Sequence, residues 1–240
     1  MTKVGITGQS GFVGTHFASY VADSEGLELV PFEDGFFADE NRLRSFVKEC
    51  DVIVHLAAMS RCPSEEELYA TNIGLVEKLI SAMEAENVTP HVMFSSSVHE
   101  ERDTAYGRAK KEGRRLFEEW AERTGAAFTG FIFVNVYGPG ARPFYCSFVA
   151  NFCYQLNHGE QPVIQVDATM RMVYVKNLCR FVFSHVDDKG ISKIPVPWDF
   201  EKKVSEILAI FESFKDGPPS GDDSNLKNLY ETYVSYKISD

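Results

Sequence analysis

Residues 3–14 read KVGITGQSGFVG, and this stretch decides the fold of the chain. An apolar β-branched run leads into a turn with three glycines, and helical spacing of apolar residues follows over about 12–22. Gly8 permits a tight turn, Gly11 leaves room for a phosphate to approach the backbone, and Gly14 lets the helix pack closely on the strand. The free amides at a helix N-terminus suit an anion. We therefore predict a dinucleotide-binding turn.

Outward from this turn, short β-branched runs alternate with amphipathic segments, which is the pattern of βαβ units and a parallel sheet. The run at 52–56 is apolar throughout and predicts a strand that is buried on both faces. Ser64 followed by Glu67 is a capping-box pattern and predicts the start of a long helix. We predict strands at about 4–7, 27–32, 52–56, 91–95 and 127–134, and helices at about 12–22, 40–50, 64–83 and 105–123.

The regular alternation fades after Asn135. Helical patterns remain at about 147–156, 204–214 and 226–236, and short strands are predicted between about 163 and 175. The predicted fold class is α/β, a Rossmann-type doubly wound parallel sheet with a small C-terminal substrate lobe. We expect a dinucleotide-binding Rossmann core at 1–140 and a smaller substrate-binding lobe at 141–240 that is partly interwoven with the core.

Composition argues against several other classes of protein. The 240 residues carry a formal net charge of -11, which opposes nucleic-acid binding. No segment approaches the roughly 20 consecutive apolar residues that span a membrane, and the N-terminus lacks a secretory signal pattern. The five cysteines are scattered and the histidines lack metal-ligand spacing, so we expect neither a disulfide framework nor a metal. These features together predict a cytoplasmic protein.

Polar side chains on one predicted helix and at the end of the preceding predicted strand suit proton transfer. Tyr106 and Lys110 are four residues apart on one predicted helix and share a face. A close ammonium and the positive nicotinamide ring favour the phenolate and lower the pKa of a tyrosine, which suits proton transfer at neutral pH. Residues 95–97 are three serines at the carboxyl end of a strand, where open α/β sheets bind ligands. This combination predicts proton-coupled hydride transfer.

The choice of dinucleotide depends on the end of the second predicted strand. Glu33 and Asp34 stand about where an acid accepts hydrogen bonds from the adenosine ribose. An acid repels the extra phosphate of NADP, so the local chemistry favours NAD. The alternative is that both are solvated loop carboxylates.

The chain resembles the extended short-chain dehydrogenase/reductase superfamily, the NAD-dependent epimerase/dehydratase family, over at least residues 3–180. The matching motifs are the glycine turn, His55-Leu56-Ala57-Ala58, Asn72, Ser95-Ser96-Ser97, Tyr106-x-x-x-Lys110 and Asn135-Val136-Tyr137-Gly138-Pro139. The resemblance implies that Ser97 is the catalytic serine, Tyr106 the acid/base and Lys110 its partner. The predicted cofactor-binding residues are Gly8, Ser10, Gly11, Phe12, Val13, Gly14, Glu33, Leu56, Ala57, Ala58, Asn72, Ser95, Tyr106, Lys110 and Phe133.

More narrowly, residues 144–154 and 228–236 resemble the reductase half of capsular-polysaccharide enzymes that make UDP-linked acetamido deoxyhexoses. Those enzymes carry a second, cupin-type domain beyond the part that this chain matches. The resemblance implies NADPH, whereas Glu33 favours NAD, so the cofactor is predicted only as NAD or NADP. Val98 and His99 replace the acidic pair of sugar dehydratases, which disfavours dehydration.

A nucleotide sugar needs cationic donors for its diphosphate and an apolar face for its rings. The predicted substrate-binding residues are Arg61, Ser96, Asn135, Arg142 and Arg171. The predicted function is an NAD(P)-dependent oxidoreductase that reduces a UDP-linked keto-deoxysugar in surface polysaccharide precursor synthesis. The alternatives are a nucleotide-sugar epimerase with tightly held NAD and a non-catalytic NAD(P)-binding regulator. A homodimer through the helices around Leu75 and Leu116 is common in the superfamily, but the sequence does not determine the oligomeric state.

Overall fold

The computed structural model describes residues 1–237 of the chain. The strands are β1 (Thr2–Thr7), β2 (Leu27–Val30), β3 (Val52–His55), β4 (His91–Ser97), β5 (Phe128–Phe133), β6 (Asn135–Tyr137), β7 (Thr169–Tyr174), β8 (Ile191–Pro195) and β9 (Phe200–Lys203). The helices are α1 (Phe12–Ala22), α2 (Glu40–Glu49), α3 (Glu65–Glu86), α4 (Ala105–Thr124), α5 (Phe148–Asn157), α6 (Val175–Phe183), α7 (Val204–Ser213) and α8 (Ser224–Val234).

The described chain divides into two compact units. The first unit holds 1–133 and 179–196, and the second holds 134–178 and the chain from 197 onward. The chain therefore leaves the first unit after β5, returns to it within α6, and leaves it again after β8. That the second unit binds substrate stays a prediction.

A six-stranded parallel sheet forms the centre of the first unit, in the order β2-β1-β3-β4-β5-β8. This order reverses between β1 and β3, because the chain moves outward to β2 first and then crosses back. Open sheets of this kind bind ligands at such a switch point, beyond the carboxyl ends of the strands. The predicted doubly wound α/β class is confirmed.

Burial explains why the central strands form where the sequence predicts them. All four residues of β3 and all seven of β4 are buried, as expected for strands covered by helices on both faces. Helix α3 begins and ends at capping residues. The Ser64 hydroxyl accepts the Glu67 amide at 3.1 Å, and α3 ends at Asn87 in the left-handed conformation. Ser64 thus caps α3 as predicted, whereas the Glu67 carboxylate accepts from the Cys62 thiol at 3.3 Å rather than completing a capping box.

The second strand is shorter than predicted, because β2 ends at Val30 rather than at Phe32. Pro31 has no amide hydrogen for the ladder, and the Phe32 amide donates instead to Gln9 Oε1 in the glycine turn, at 3.2 Å. The acidic pair that follows is therefore not at a strand end. Asp34 begins a short 3-10 helix, Asp34–Ala38, and Glu33 is the N-cap residue of that helix.

The second unit contains a small sheet in the order β6-β7-β9, in which β6 and β7 are parallel and β9 is antiparallel to β7. Helices α5, α7 and α8 belong to the same unit. The predicted helices in this region are confirmed, with α8 beginning two residues before the predicted start. The short strands β6, β8 and β9 and the helix α6 were not predicted. These strands are short and most of their residues are half-buried or exposed, so their apolar periodicity in the sequence is weak.

Candidate active site

The glycine turn has the geometry of a phosphate cradle. Gly8 adopts φ +71°, a left-handed conformation that favours glycine, and its carbonyl accepts the Gly11 amide at 3.0 Å. A Cβ on Gly14 would lie 2.1 Å from the Gly8 oxygen, so only glycine fits there. Gly11 is the N-cap of α1 and no side chain caps this helix end. The first amides of α1 are therefore available to an anion, and these residues fit the diphosphate of a dinucleotide.

Two glycine substitutions separate cofactor binding from folding. A Cβ on Gly11 meets only the Gly8 oxygen, at 3.3 Å, and its φ of -77° suits alanine. We expect Gly11→Ala to fold with a nearly unchanged melting temperature and to lose at least about ten-fold in NAD(P)H affinity by calorimetry. Gly14→Ala should lower the melting temperature itself. Unchanged affinity in Gly11→Ala would remove this turn from the cofactor site.

The two acids after β2 have different surroundings. Asp34 accepts a hydrogen bond from the Ser10 hydroxyl at 2.7 Å, so its carboxylate lies against the glycine turn. The Glu33 carboxylate lies 3.7 Å from the Arg42 guanidinium, and its side chain is 75% exposed. Asp34 is thus the acid that the fold brings to the turn, although the sequence reasoning assigned the ribose to Glu33. Nothing in the sequence separates two adjacent acids; their separation follows from the early end of β2.

Asn72 supports the loop after β3 rather than facing outward. Its buried amide accepts the Met59 amide at 2.7 Å and donates to the Met59 carbonyl at 2.9 Å. This pair of bonds fixes the segment that follows Leu56, Ala57 and Ala58, whose Ala57 amide also donates to the Thr7 hydroxyl at 3.3 Å. Ala57, in the loop after β3, is therefore brought beside the glycine turn, where a Cβ on Gly8 would lie 2.9 Å from the Ala57 amide nitrogen. Asn72 of α3 contacts the same loop at Met59.

Lys110 is buried at the carboxyl end of β4. Its ammonium donates to the Ser95 carbonyl at 2.8 Å and lies 3.4 Å from the Ser95 hydroxyl. Only 5% of the residue is exposed, and this burial lowers the pKa of Lys110 to about 7. The charge is thus held in a site that disfavours it, which is a common feature of catalytic groups.

His55 lies next to this lysine and is neutral over the physiological range. Burial, and then the charge of Lys110, lower the pKa of His55 to about 3. Its Nδ1 shares a hydrogen bond of 2.8 Å with the Thr7 hydroxyl, and its ring stacks on Phe94. Its carbonyl accepts the Ser95 hydroxyl at 3.0 Å. His55 is therefore a packing and hydrogen-bonding residue that links β1, β3 and β4.

Tyr106 and Ser97 lie at the same edge of the sheet as Lys110. The Lys110 ammonium is 5.7 Å from the centre of the Tyr106 ring, and the His99 ring meets Tyr106 edge-on at 6.3 Å. The Ser97 hydroxyl accepts the His99 amide at 3.1 Å, which leaves its own hydrogen free to donate to a ligand. A Cβ on Gly107 would lie 2.2 Å from the His99 carbonyl, so the start of α4 is held closely against the turn after Ser97.

A cleft of about 520 Å³ opens beside Tyr106 in the first unit. The connection between β3 and α3, with Arg61 and Cys62, and the start of α3, with Leu68, form one wall, and the start of α4 forms the other. Arg61 is exposed at this cleft, whereas the nearby Arg108 is paired with Asp103 at 2.6 Å. The fold therefore brings a predicted substrate arginine to the predicted catalytic tyrosine.

The remaining predicted residues belong to both units. The Ser96 hydroxyl donates to the buried Glu100 carboxylate at 2.6 Å, so Ser96 is not brought together with Tyr106 and Arg61. Phe133 is the last residue of β5 and lies directly beside Ser97 in the ladder between β4 and β5. In the second unit, Arg171 donates to Glu201 at 3.2 Å and stacks on Trp198 at 4.2 Å. In the same unit, Asn135 donates to the Arg171 carbonyl, and the Arg142 guanidinium lies over the Tyr145 ring.

Two absences are seen in the described part of the chain. No three His, Cys, Asp or Glu side chains among residues 1–237 are grouped as metal ligands. None of the helices in this range is both long enough and apolar enough to cross a membrane.

The switch-point site and the Ser97, Tyr106 and Lys110 group define a Rossmann protein of the short-chain dehydrogenase/reductase class. The chain belongs to the NAD dependent epimerase/dehydratase family, whose sequence profile matches residues 4–191. This membership confirms the predicted superfamily and the expectation of a nicotinamide dinucleotide cofactor.

Similar proteins extend this assignment. The chain is 27% identical to the UDP-2-acetamido-2,6-beta-L-arabino-hexul-4-ose reductase of Pseudomonas aeruginosa, covering 99% of the chain and 66% of the relative. Its structure is similar to the capsular polysaccharide assembling protein CapF of Staphylococcus aureus, with a TM-score of 0.81 and 24% identity over 99% of the chain and 65% of CapF. It is also similar to RMD of P. aeruginosa, solved with NADPH, with a TM-score of 0.85 and 16% identity over 99% of each chain. The chain thus spans about two thirds of the length of the first two relatives.

Proposed function

We propose that this chain reduces the keto group of a nucleotide-linked deoxysugar with NADH or NADPH. The observation that carries the proposal is the buried Lys110 ammonium beside Tyr106, at the edge of a cleft that Arg61 also lines. The reductase from P. aeruginosa, 27% identical, acts by its name on a UDP-linked 4-keto sugar, which supports this substrate class.

The side chains divide the chemistry as follows. The Tyr106 hydroxyl donates a proton to the carbonyl oxygen of the sugar, and the Ser97 hydroxyl donates a hydrogen bond to the same oxygen. Lys110 stabilises the resulting phenolate with its positive charge. The cofactor supplies the hydride when it is bound. Arg61 contributes a charge-assisted hydrogen bond to the bound sugar nucleotide from the opposite wall of the cleft.

The proposal is tested with purified protein, the UDP-linked 4-keto-2-acetamido-2,6-dideoxyhexose, and NADH or NADPH in parallel. We expect nicotinamide absorbance to fall in proportion to the reduced sugar formed. The Asp34 carboxylate at the glycine turn predicts faster turnover with NADH than with NADPH. The extra ribose phosphate of NADPH would be repelled by this negative charge. Epimerisation of a UDP-hexose without net loss of NAD(P)H, together with no reduction, would establish the epimerase instead. Cofactor binding without either reaction would leave only a binding protein.

A further inference from the structure

The buried carboxylate of Glu100 accepts a hydrogen bond from Ser96, the neighbour of the predicted catalytic Ser97 in β4. Glu100 has a side chain that is 1% exposed, and its oxygens accept hydrogen bonds from residues of three other segments of the first unit. The Ser96 hydroxyl donates at 2.6 Å, the Lys193 ammonium at 2.5 Å, and the Arg114 guanidinium at 3.1 and 3.3 Å. Arg114 is also paired with Glu118 at 2.5 Å.

The cluster of Ser96, Glu100, Arg114, Glu118 and Lys193 has no net charge, because two acids face two bases. Burial by itself raises the pKa of Glu100, but hydrogen bonds from Lys193, Ser96 and Arg114 outweigh it and lower the pKa. Glu100 is therefore ionised at neutral pH. A buried ion pair of this kind gives little net stability relative to apolar packing, so stability alone is a weak reason for it.

The sheet makes room for this cluster. A Cβ on Gly130 of β5 would lie 2.8 Å from the Arg114 side chain, so the arginine stem fills the space of a missing side chain. Lys193 of β8 is directly beside Gly130 in the ladder. Arg114 of α4 and Lys193 of β8 thus both reach the Glu100 carboxylate, because Gly130 has no side chain in the space between them.

The cluster connects the segments that carry the catalytic groups. Ser96 precedes Ser97 in β4, and strand alternation points the two side chains to opposite faces. Arg114 is four residues after Lys110 in α4, one turn along the same helix. Glu100 itself belongs to the short 3-10 helix Val98–Glu101, whose first turn is capped by Ser97. The carboxylate therefore ties the Ser97 turn to the helix of Tyr106 and Lys110.

We propose that Glu100 is a positioning residue, which through Ser96 holds the Ser97 hydroxyl in register with Tyr106 and Lys110. The proposal deepens the reductase function above and rests on it for the kinetic test. Glu100 does not touch substrate or cofactor in this role.

Ser96→Ala and Glu118→Gln are matched variants for the test. Ser96→Ala removes the hydrogen bond to Glu100, and Glu118→Gln weakens the one from Arg114, but only Ser96 connects the cluster to the strand of Ser97. We expect Ser96→Ala to lower kcat by about ten-fold with an unchanged KM for the sugar. Glu118→Gln should lower the melting temperature and leave kcat unchanged. Equal kcat values in wild type and Ser96→Ala, or equal losses of kcat in both variants, would overturn the proposal.

Hydrogen exchange gives a readout that needs no substrate. The His99 amide donates to Ser97, so its exchange reports how firmly the turn is held. We expect its exchange rate to rise about ten-fold in Ser96→Ala and to stay unchanged in Glu118→Gln. If wild type reduces no keto sugar, the reductase proposal fails while this measurement still decides the positioning role. Unchanged exchange in Ser96→Ala contradicts that role.

Glu100 itself is tested by a conservative pair. Glu100→Gln keeps an oxygen that can accept from Ser96, whereas Glu100→Ala removes it. We expect Glu100→Gln to retain a larger fraction of kcat than Glu100→Ala, although both lose stability. If Glu100→Ala does not fold, the comparison of Ser96→Ala with Glu118→Gln decides the question. A Glu100→Gln variant with the same kcat as a folded Glu100→Ala would contradict a role through Ser96.

Discussion

Tyr106→Phe is expected to lower kcat by about a thousand-fold, because it removes the hydroxyl that supplies the proton and nothing else. The aromatic ring remains, so its contacts with the Lys110 ammonium and the His99 ring are kept. Affinity for NAD(P)H, measured by calorimetry, should therefore change little. The experiment is a steady-state comparison of kcat and KM with the keto sugar.

Tyr20→Phe is the matched control for this result. Tyr20 is also half-buried in the first unit, where its ring stacks on Phe183, and it is remote in sequence from the catalytic group. We expect Tyr20→Phe to have the kcat of wild type. Equal kcat values in wild type and Tyr106→Phe would show that another group donates the proton, and the mechanism proposed here would be incorrect.

Lys110→Met should have opposite effects on activity and on stability. Burial lowers the pKa of Lys110 from 10.5 to about 7, so the folded protein without cofactor disfavours its charged form. Methionine has a similar length and no charge to desolvate. We expect the melting temperature at neutral pH to rise by a few degrees, offset in part by the lost bond to the Ser95 carbonyl, worth about 1 kcal/mol. Turnover should fall by at least about a hundred-fold.

The same pKa predicts a pH dependence of stability. Between about pH 7 and pH 10.5 the unfolded chain binds a proton at this lysine that the folded chain does not. The contribution of Lys110 to the free energy of unfolding therefore becomes more favourable as pH rises through this window, and the full penalty is present below it. Thermal melts without cofactor should show this slope in wild type and not in Lys110→Met.

Lys111→Met provides the control, because Lys111 is the exposed neighbour on the same helix. It should keep the wild-type pH slope and kcat. If Lys110→Met and wild type had the same dependence of stability on pH, the fold would not lower the pKa of Lys110. The large activity loss would then reflect only the missing ammonium and not a strained site.

Where the sequence predicted elements correctly, the signal was local. Apolar runs and capping residues marked β3 and α3, because burial on both faces and the satisfaction of end amides depend on neighbours in the chain. The strand β8 was missed, because its exposed, alternating residues join the sheet only by pairing with β5, far away in sequence. The end of β2 was misplaced by two residues, because the contact of Phe32 with Gln9 is tertiary.

The site shows the same division. The spacing of the glycine turn and of Tyr106 and Lys110 was readable, since both spacings are fixed by a few residues of backbone geometry. The role of Ser96 was not readable. Three adjacent serines are equivalent in sequence, but strand alternation and the distant Glu100 cluster separate their surroundings.

The sequence by itself therefore determined the class of fold, the dinucleotide turn and the order of Ser97, Tyr106 and Lys110. Only the tertiary structure decided that Asp34 rather than Glu33 lies at the turn, that Lys110 is buried enough for its pKa to fall to about 7, and that the ionised Glu100 is paired with Arg114 and Lys193. The reason is physical. Backbone geometry is set by neighbouring residues, whereas burial and charge depend on groups brought together from distant segments, such as Lys193 and Glu100, which are 93 residues apart.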